Sequence, residues 1–141
     1  MISLTSGLVV GAEALIRWNH PTEGRLGPGQ FLPAAEEHGL MCELDRWMLK
    51  EAFRRSVVWR RFGTEHFSIS VNLFGMSLQS DEMIDDVART LTETGILPED
   101  LILEITESAF ISNNAIWRLL ELKKLGDRTS RPISTITEAR V

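Results

Sequence analysis

Three short segments, residues 8–15 (LVVGAEAL), 67–73 (FSISVNL) and 101–106 (LILEIT), are rich in aliphatic and β-branched side chains and are separated by helical patterns. That alternation limits the fold more than any other feature. Strands that read as compact apolar runs are typical of parallel sheets covered by helices. Residues 28–38 predict a short helix with Gly39 as its C-terminal cap. Residues 41–61 predict a long one, with Leu44, Trp47 and Met48 at helical spacing and Gly63 following. Ser80 is placed to cap a helix through Thr94, with Met83, Ile84, Val87 and Leu91 on one face and Gly95 at its end. Asn113 or Asn114 starts a last helix, with Ile116, Leu119 and Leu120 inward and Gly126 as its end. These are the expected punctuation marks of helices. The order predicts an α/β fold with parallel strands alternating with helices.

Strand parity adds chemistry to this outline. Alternate residues share a face, so Glu13, Leu15 and Arg17 oppose Ala12, Ala14 and Ile16. Ser68, Ser70 and Asn72 oppose Ile69, Val71 and Leu73, while Glu104 and Thr106 oppose Leu103 and Ile105. Each strand thus has a greasy face for helices and an oxygen-bearing side chain near its C-terminal end. In a β/α barrel that end carries the chemistry.

Glu13, Asn72 and Glu104 are hard oxygen donors of the type Mg²⁺ or Mn²⁺ prefers. Periodicity alone leaves two readings open, a metal site and three solvated or ion-paired strand ends. Arg17 suits either a phosphate clamp or an ion pair with Glu13. His20, His38 and His66 show no metal-ligand spacing and read as loop or surface residues. Arg54, Arg55, Arg60 and Arg61 read as a solvated helix face, Gly24, Gly27 and Gly29 as loop formers, and Trp18, Trp47, Trp59 and Trp117 as core or subunit-contact residues.

Composition excludes several classes. The 141 residues suit one domain, and 43% hydrophobic with 25% charged residues is ordinary for a globular chain rather than a disordered one. A net charge of −5 argues against a nucleic-acid polymer as partner. Cys42 is the one cysteine, so no internal disulfide forms and a reducing cytoplasm is expected. The apolar runs are broken by Gly11 or Glu13, and no membrane span or secretory signal is expected.

Glu13-Ala14-Leu15-Ile16-Arg17-Trp18, followed by Asn19-His20-Pro21, resembles the signature of the EAL domain, a family of bacterial cyclic di-GMP phosphodiesterases. The resemblance continues through Pro28-Gly29-Gln30-Phe31-Leu32-Pro33-Ala34-Ala35-Glu36-Glu37, Ser70-Val71-Asn72-Leu73, Leu103-Glu104-Ile105-Thr106-Glu107 and Leu122-Lys123-Lys124-Leu125-Gly126. It implies a TIM-type β/α barrel that opens cyclic di-GMP to its linear dinucleotide with two Mg²⁺ or Mn²⁺ ions. Glu13, Asn72 and Glu104 match metal ligands, Arg17 a phosphate contact and Leu15 the motif leucine beside the substrate. Glu107 matches the glutamate that steadies the loop bearing the family's paired aspartates.

The resemblance also defines what this sequence lacks. The family continues into a strand ending Asp-Asp-Phe-Gly-Thr-Gly, whereas Asp127 to Val141 contains no Asp-Asp pair. The later Lys, the Glu of the EGVE-type motif and the distal Gln are absent too, as is the family's first strand before Met1. A barrel takes about 250 residues, so the expectation is an incomplete, partial barrel over residues 1–126 and a non-family tail over 127–141 that is disordered or frameshifted. One codon choice for Ile133–Glu138, read in a shifted frame, gives Leu-Asp-Asp-Tyr-Gly, close to the missing motif. A short paralogue with an unrelated tail is the rival account. Functionally, the chain is expected to be inactive in hydrolysis by itself, with a non-catalytic cyclic di-GMP-binding or protein-interaction module as the alternative. A half-barrel has unpaired strand edges, so a homo-oligomer or a completing partner chain is expected, formed through the third strand and the Trp117 helix.

Overall fold

The computed structural model describes residues 1–60, 67–74, 81–106 and 134–138. Strand β1 (Gly11–Ala14) leads into a hairpin of β2 (Trp18–His20) and β3 (Gly24–Leu26). Helices α1 (Pro28–Glu37) and α2 (Met41–Arg60) follow, then β4 (Ser68–Leu73), α3 (Asp81–Thr94), a 3₁₀ turn at Pro98–Asp100, β5 (Leu101–Thr106) and β6 (Ser134–Glu138). The main sheet runs β1-β4-β5-β6, every pair parallel. Strand order equals chain order and never reverses, which distinguishes a barrel-type sheet from a doubly wound one. The fold is a partial TIM-type β/α barrel left as an open sheet.

The local chemistry explains the elements. Gln30 Oε1 accepts the Gly27 N–H at 2.8 Å, satisfying a free donor at the start of α1, and Pro28 opens the helix with its φ already set. Gly39, at φ +70°, ends it: its N–H donates to Glu36 O and that of Leu40 to Ala35 O, a Schellman motif. In α3, Met83, Val87 and Leu91 are buried one turn apart, while Glu82, Asp85, Arg89 and Glu93 face solvent.

Parity decides the layers. Ile69, Val71 and Leu73 of β4, with Leu101, Leu103 and Ile105 of β5, pack against Met48, Leu49 and Phe53 of α2 and the buried stripe of α3. Both helices therefore cover one sheet face, and that face is the core. Arg46 of α2 joins the helices, pairing with Asp86 at 2.7 Å and with Glu82. Glu82's hydrogen bond raises the Arg46 pKa above its usual value.

Several expectations need correction. The first strand is Gly11–Ala14 rather than residues 8–15, because Leu8 and Val9 turn back on the N-terminus. Val9 bridges Ile2 antiparallel, and Ser3 N–H donates to Leu8 O. The Gly24 region is not simply a loop: with Gly24 at φ +75°, residues 18–26 close an antiparallel hairpin. Within the tail expected to be disordered or frameshifted, Ser134–Glu138 form β6 on β5. That pairing covers the third strand's edge, so it is not the free edge expected for association. Trp18, Trp47 and Trp59 are 45%, 55% and 39% exposed and do not belong to the core. Trp117, its helix, Ser80 and His66 lie outside the described residues. No helix among the described residues is long and apolar enough to cross a membrane.

Candidate functional site

The sheet face opposite the helices carries the polar parity set. Glu13 sits at the end of β1, level with Ser70, and Asn72 is level with Glu104. Glu13 and Asn72 are thus one diagonal apart. The diagonal is short enough to bond: Asn72 Nδ2 donates to Glu13 Oε1 at 3.0 Å. Ser70, 2% exposed, donates its hydroxyl to Glu104 Oε1. The structure brings Glu13, Asn72 and Glu104 onto one face, with Glu13 bonded to Asn72 and Glu104 bonded to Ser70.

This donor set fits a hard divalent cation. Asn72 turns its amide nitrogen toward Glu13, leaving its carbonyl oxygen as a further acceptor, and each carboxylate keeps one oxygen outside the bonds just described. Among the described residues, no three His, Cys, Asp or Glu side chains gather as a ligand group. The cluster is two carboxylates and an amide.

Leu15 and Arg17 continue the Glu13 side beyond β1. Leu15 is 55% exposed. Arg17 is also exposed, and its guanidinium donates to Ile16 O at 2.7 Å, while the bond to Glu13 comes from Asn72. Both line a cavity of about 1050 Å³ that also takes in Glu13 and the flank of α2. Glu107 lies outside the described residues. His20 shapes the hairpin turn, its Nδ1 accepting the Glu23 N–H at 3.2 Å, and His38 Nδ1 bonds to Ala34 O at 2.8 Å. Arg54 and Arg55 are exposed as expected, and both pair with Glu51, with Arg55 first in holding the Glu51 pKa below its usual value.

Sequence reasoning missed the supporting roles of Ser70 and Asp45. Asp45 is fully buried on α2, and its Oδ2 accepts the Phe74 N–H at 3.0 Å, fixing the chain as it leaves β4 just past Asn72. A carboxylate between Met41, Leu44, Met48 and Leu49 in a helix's apolar stripe was the available signal.

A parallel β/α sheet with oxygen donors at its strand ends defines a class of barrel in which those ends form the site. The family profile for "EAL domain" matches residues 1–129, and the chain belongs to that family. The bifunctional diguanylate cyclase/cyclic di-GMP phosphodiesterase MucR of Pseudomonas aeruginosa is 41% identical over 103 residues, covering 73% of this chain and 15% of that protein. The cyclic di-GMP phosphodiesterase NbdA of the same organism is 36% identical over 128 residues, covering 89% and 16%. The solved structure of the PaMucR phosphodiesterase in complex with c-di-GMP superposes with a TM-score of 0.79 at 35% identity, covering 89% of this chain and 51% of that one. The chain thus spans a small part of these two curated relatives and about half of the solved domain.

Proposed function

We propose that the chain supplies the first half of a cyclic di-GMP phosphodiesterase site and, by itself, hydrolyses that dinucleotide negligibly. Glu13, Asn72 and Glu104 hold one divalent cation, Mg²⁺ or Mn²⁺. Arg17 offers its planar fork to a phosphate, Leu15 flanks the base or sugar beside it, and Glu107 steadies the neighbouring loop. The observation that carries the reading is the hydrogen-bonded set Glu13–Asn72 and Ser70–Glu104 on the sheet face that the helices leave uncovered. A bound cation supplies charge neutralisation at the phosphate and activation of water. Two-metal hydrolysis needs further carboxylates, and this sequence has no Asp-Asp pair after Gly126.

Calorimetric titration of the 141-residue chain with Mn²⁺, and then with cyclic di-GMP in the presence and absence of Mn²⁺, tests the proposal. The expected result is Mn²⁺ binding that Glu13→Ala abolishes, weak cyclic di-GMP binding and no linear product. Metal-dependent turnover that Glu13→Ala removes overturns the inactivity. Unchanged Mn²⁺ binding in Glu13→Ala overturns the ligand set.

A further inference from the structure

Asp45 is a fully buried carboxylate on α2, the helix that packs on the sheet through Met48, Leu49 and Phe53. It shares a helix face with Leu49 one turn on, so it lies on the side of the sheet opposite Glu13, Asn72 and Glu104. An apolar residue would suit that stripe better, since a buried charge is costly unless it is bonded. Its bond is to main chain: Oδ2 accepts the Phe74 N–H at 3.0 Å. A carboxylate makes such a bond about twice as strong as a neutral acceptor does. Phe74 is the first residue past β4 and the second past Asn72. At Asn72 the strand has lost one neighbour. The β1 ladder stops at Ala14–Val71, and among the described residues only β5 still pairs alongside. The Asp45 bond holds the main chain just beyond. Its base is firm, because Arg46, the next residue, ties α2 to Asp86 of α3 at 2.7 Å and to Glu82.

We infer that Asp45 is a positioning residue for the cation site, holding Asn72 in place through the main chain at Phe74. It touches neither the donors nor a cation bound by them, because the sheet lies between. Asn72 has two directional tasks: its amide nitrogen stays on Glu13 while its carbonyl oxygen faces the cation. Both depend on where the end of β4 sits, and the strand is fastened from the helix side at that end. A residue serving stability alone has no reason to spend a buried charge at the point where the ladder thins, two positions from a donor. The inference rests on the ligand set proposed above and adds to it a group on the opposite face of the sheet. Linkage supplies the converse: if the Asp45–Phe74 bond favours cation binding, a bound cation favours that bond by the same factor.

The test uses the full 141-residue chain. Calorimetry is expected to show Mn²⁺ affinity about tenfold or more lower in Asp45→Ala, and back to within about threefold of the parent in Asp45→Asn, which keeps an acceptor oxygen. Ile96→Val, a core change shortly before β5, is expected to lower the urea midpoint and leave that affinity unchanged. Parent-like affinity in Asp45→Ala overturns the inference, and so does an equal affinity loss in Ile96→Val. The parent itself gives a readout that no poorly folding variant can remove. Saturation with Mg²⁺, which leaves NMR signals sharp, is expected to slow exchange of the Phe74 amide several-fold. Mg²⁺ binding that leaves this exchange unchanged also overturns the inference. A metal-free comparison separates the two readings. The side-chain amide signals of Asn72 are expected to shift in Asp45→Ala and to return in Asp45→Asn. If the parent binds neither cation, the ligand set fails, and this comparison still reads whether Asp45 positions Asn72. Unmoved Asn72 signals with cation binding intact refute the positioning and leave the ligand set standing.

Discussion

Asn72 donates to Glu13 across the β1–β4 boundary at 3.0 Å, although the residue level with Glu13 is Ser70. The bond runs diagonally because parallel neighbours of equal parity share a face and lie two positions apart. Two polar residues 59 positions apart in the chain are thereby held together.

Ser70→Ala removes the hydroxyl that orients Glu104 and leaves the core face untouched. Mn²⁺ affinity is expected to fall about 10- to 100-fold, as loss of a ligand's supporting bond typically does. Stability is expected to change by only about 1 kcal/mol. Calorimetry and urea unfolding measure the two effects, and a large stability loss with unchanged affinity contradicts the assigned role.

Asp45→Ala leaves the Phe74 N–H without its acceptor in a part-buried setting. A loss of about 1–3 kcal/mol is expected from urea unfolding. Asp45→Asn, which keeps an acceptor oxygen, restores part of it. Equal losses in the two variants would show that this bond is unimportant.

Gly11 allows close approach of β1 to β4. A Cβ there meets Ser68 O and the Met1 side chain, each at 2.5 Å. Gly11→Ala is expected to cost about 1–3 kcal/mol through overpacking and to push β1 outward. Weaker Mn²⁺ binding should accompany it, because Glu13 moves with the strand. A variant as stable as the parent refutes the contact.

Hydrogen bonds from Arg55 and then Arg54 lower the folded-state pKa of Glu51 below its ordinary value of 4.5. A depressed carboxylate stabilises the fold above the unfolded pKa, and this contribution disappears as pH falls through the folded value. The parent is therefore expected to exceed Glu51→Gln in stability at pH 7, with the difference closing below pH 4.5. Urea midpoints at neutral and acidic pH check the sign.

The frameshift account of residues 127–141 predicts an Asp-Asp pair, with the later Lys and Glu motifs, in a shifted frame of the gene. Sequencing through and past the codon for Val141 decides it. A shifted frame without that pair refutes the frameshift account.

Much of this architecture was legible because parity and periodicity are local. Leu101–Thr106 is the strand its apolar run announced, and Gly39 and Gly95 end helices at positive φ. The donor residues were visible because Glu13, Asn72 and Glu104 interrupt otherwise apolar strands near their ends. What escaped depends on contacts between distant segments. Leu8 and Val9 look like strand but prefer the N-terminal turn, and Asp45 reveals its role only when Phe74 is brought beside it. The family motifs carried the chemical assignment further than periodicity did. Residues 18–21 matched those motifs without revealing the hairpin that they form with residues 24–26.

Because the sheet adds each strand beside the previous one without reversing, its donors emerge from synthesis in spatial order: position 13, then 72, then 104. Under the proposed ligand set each added unit lays one more oxygen beside the last, so the cation's hold would tighten in steps as the polypeptide grows. Cation affinity is then a gauge of how far assembly has progressed, and a chain that has placed β1 and β4 but not β5 should already grip the ion weakly.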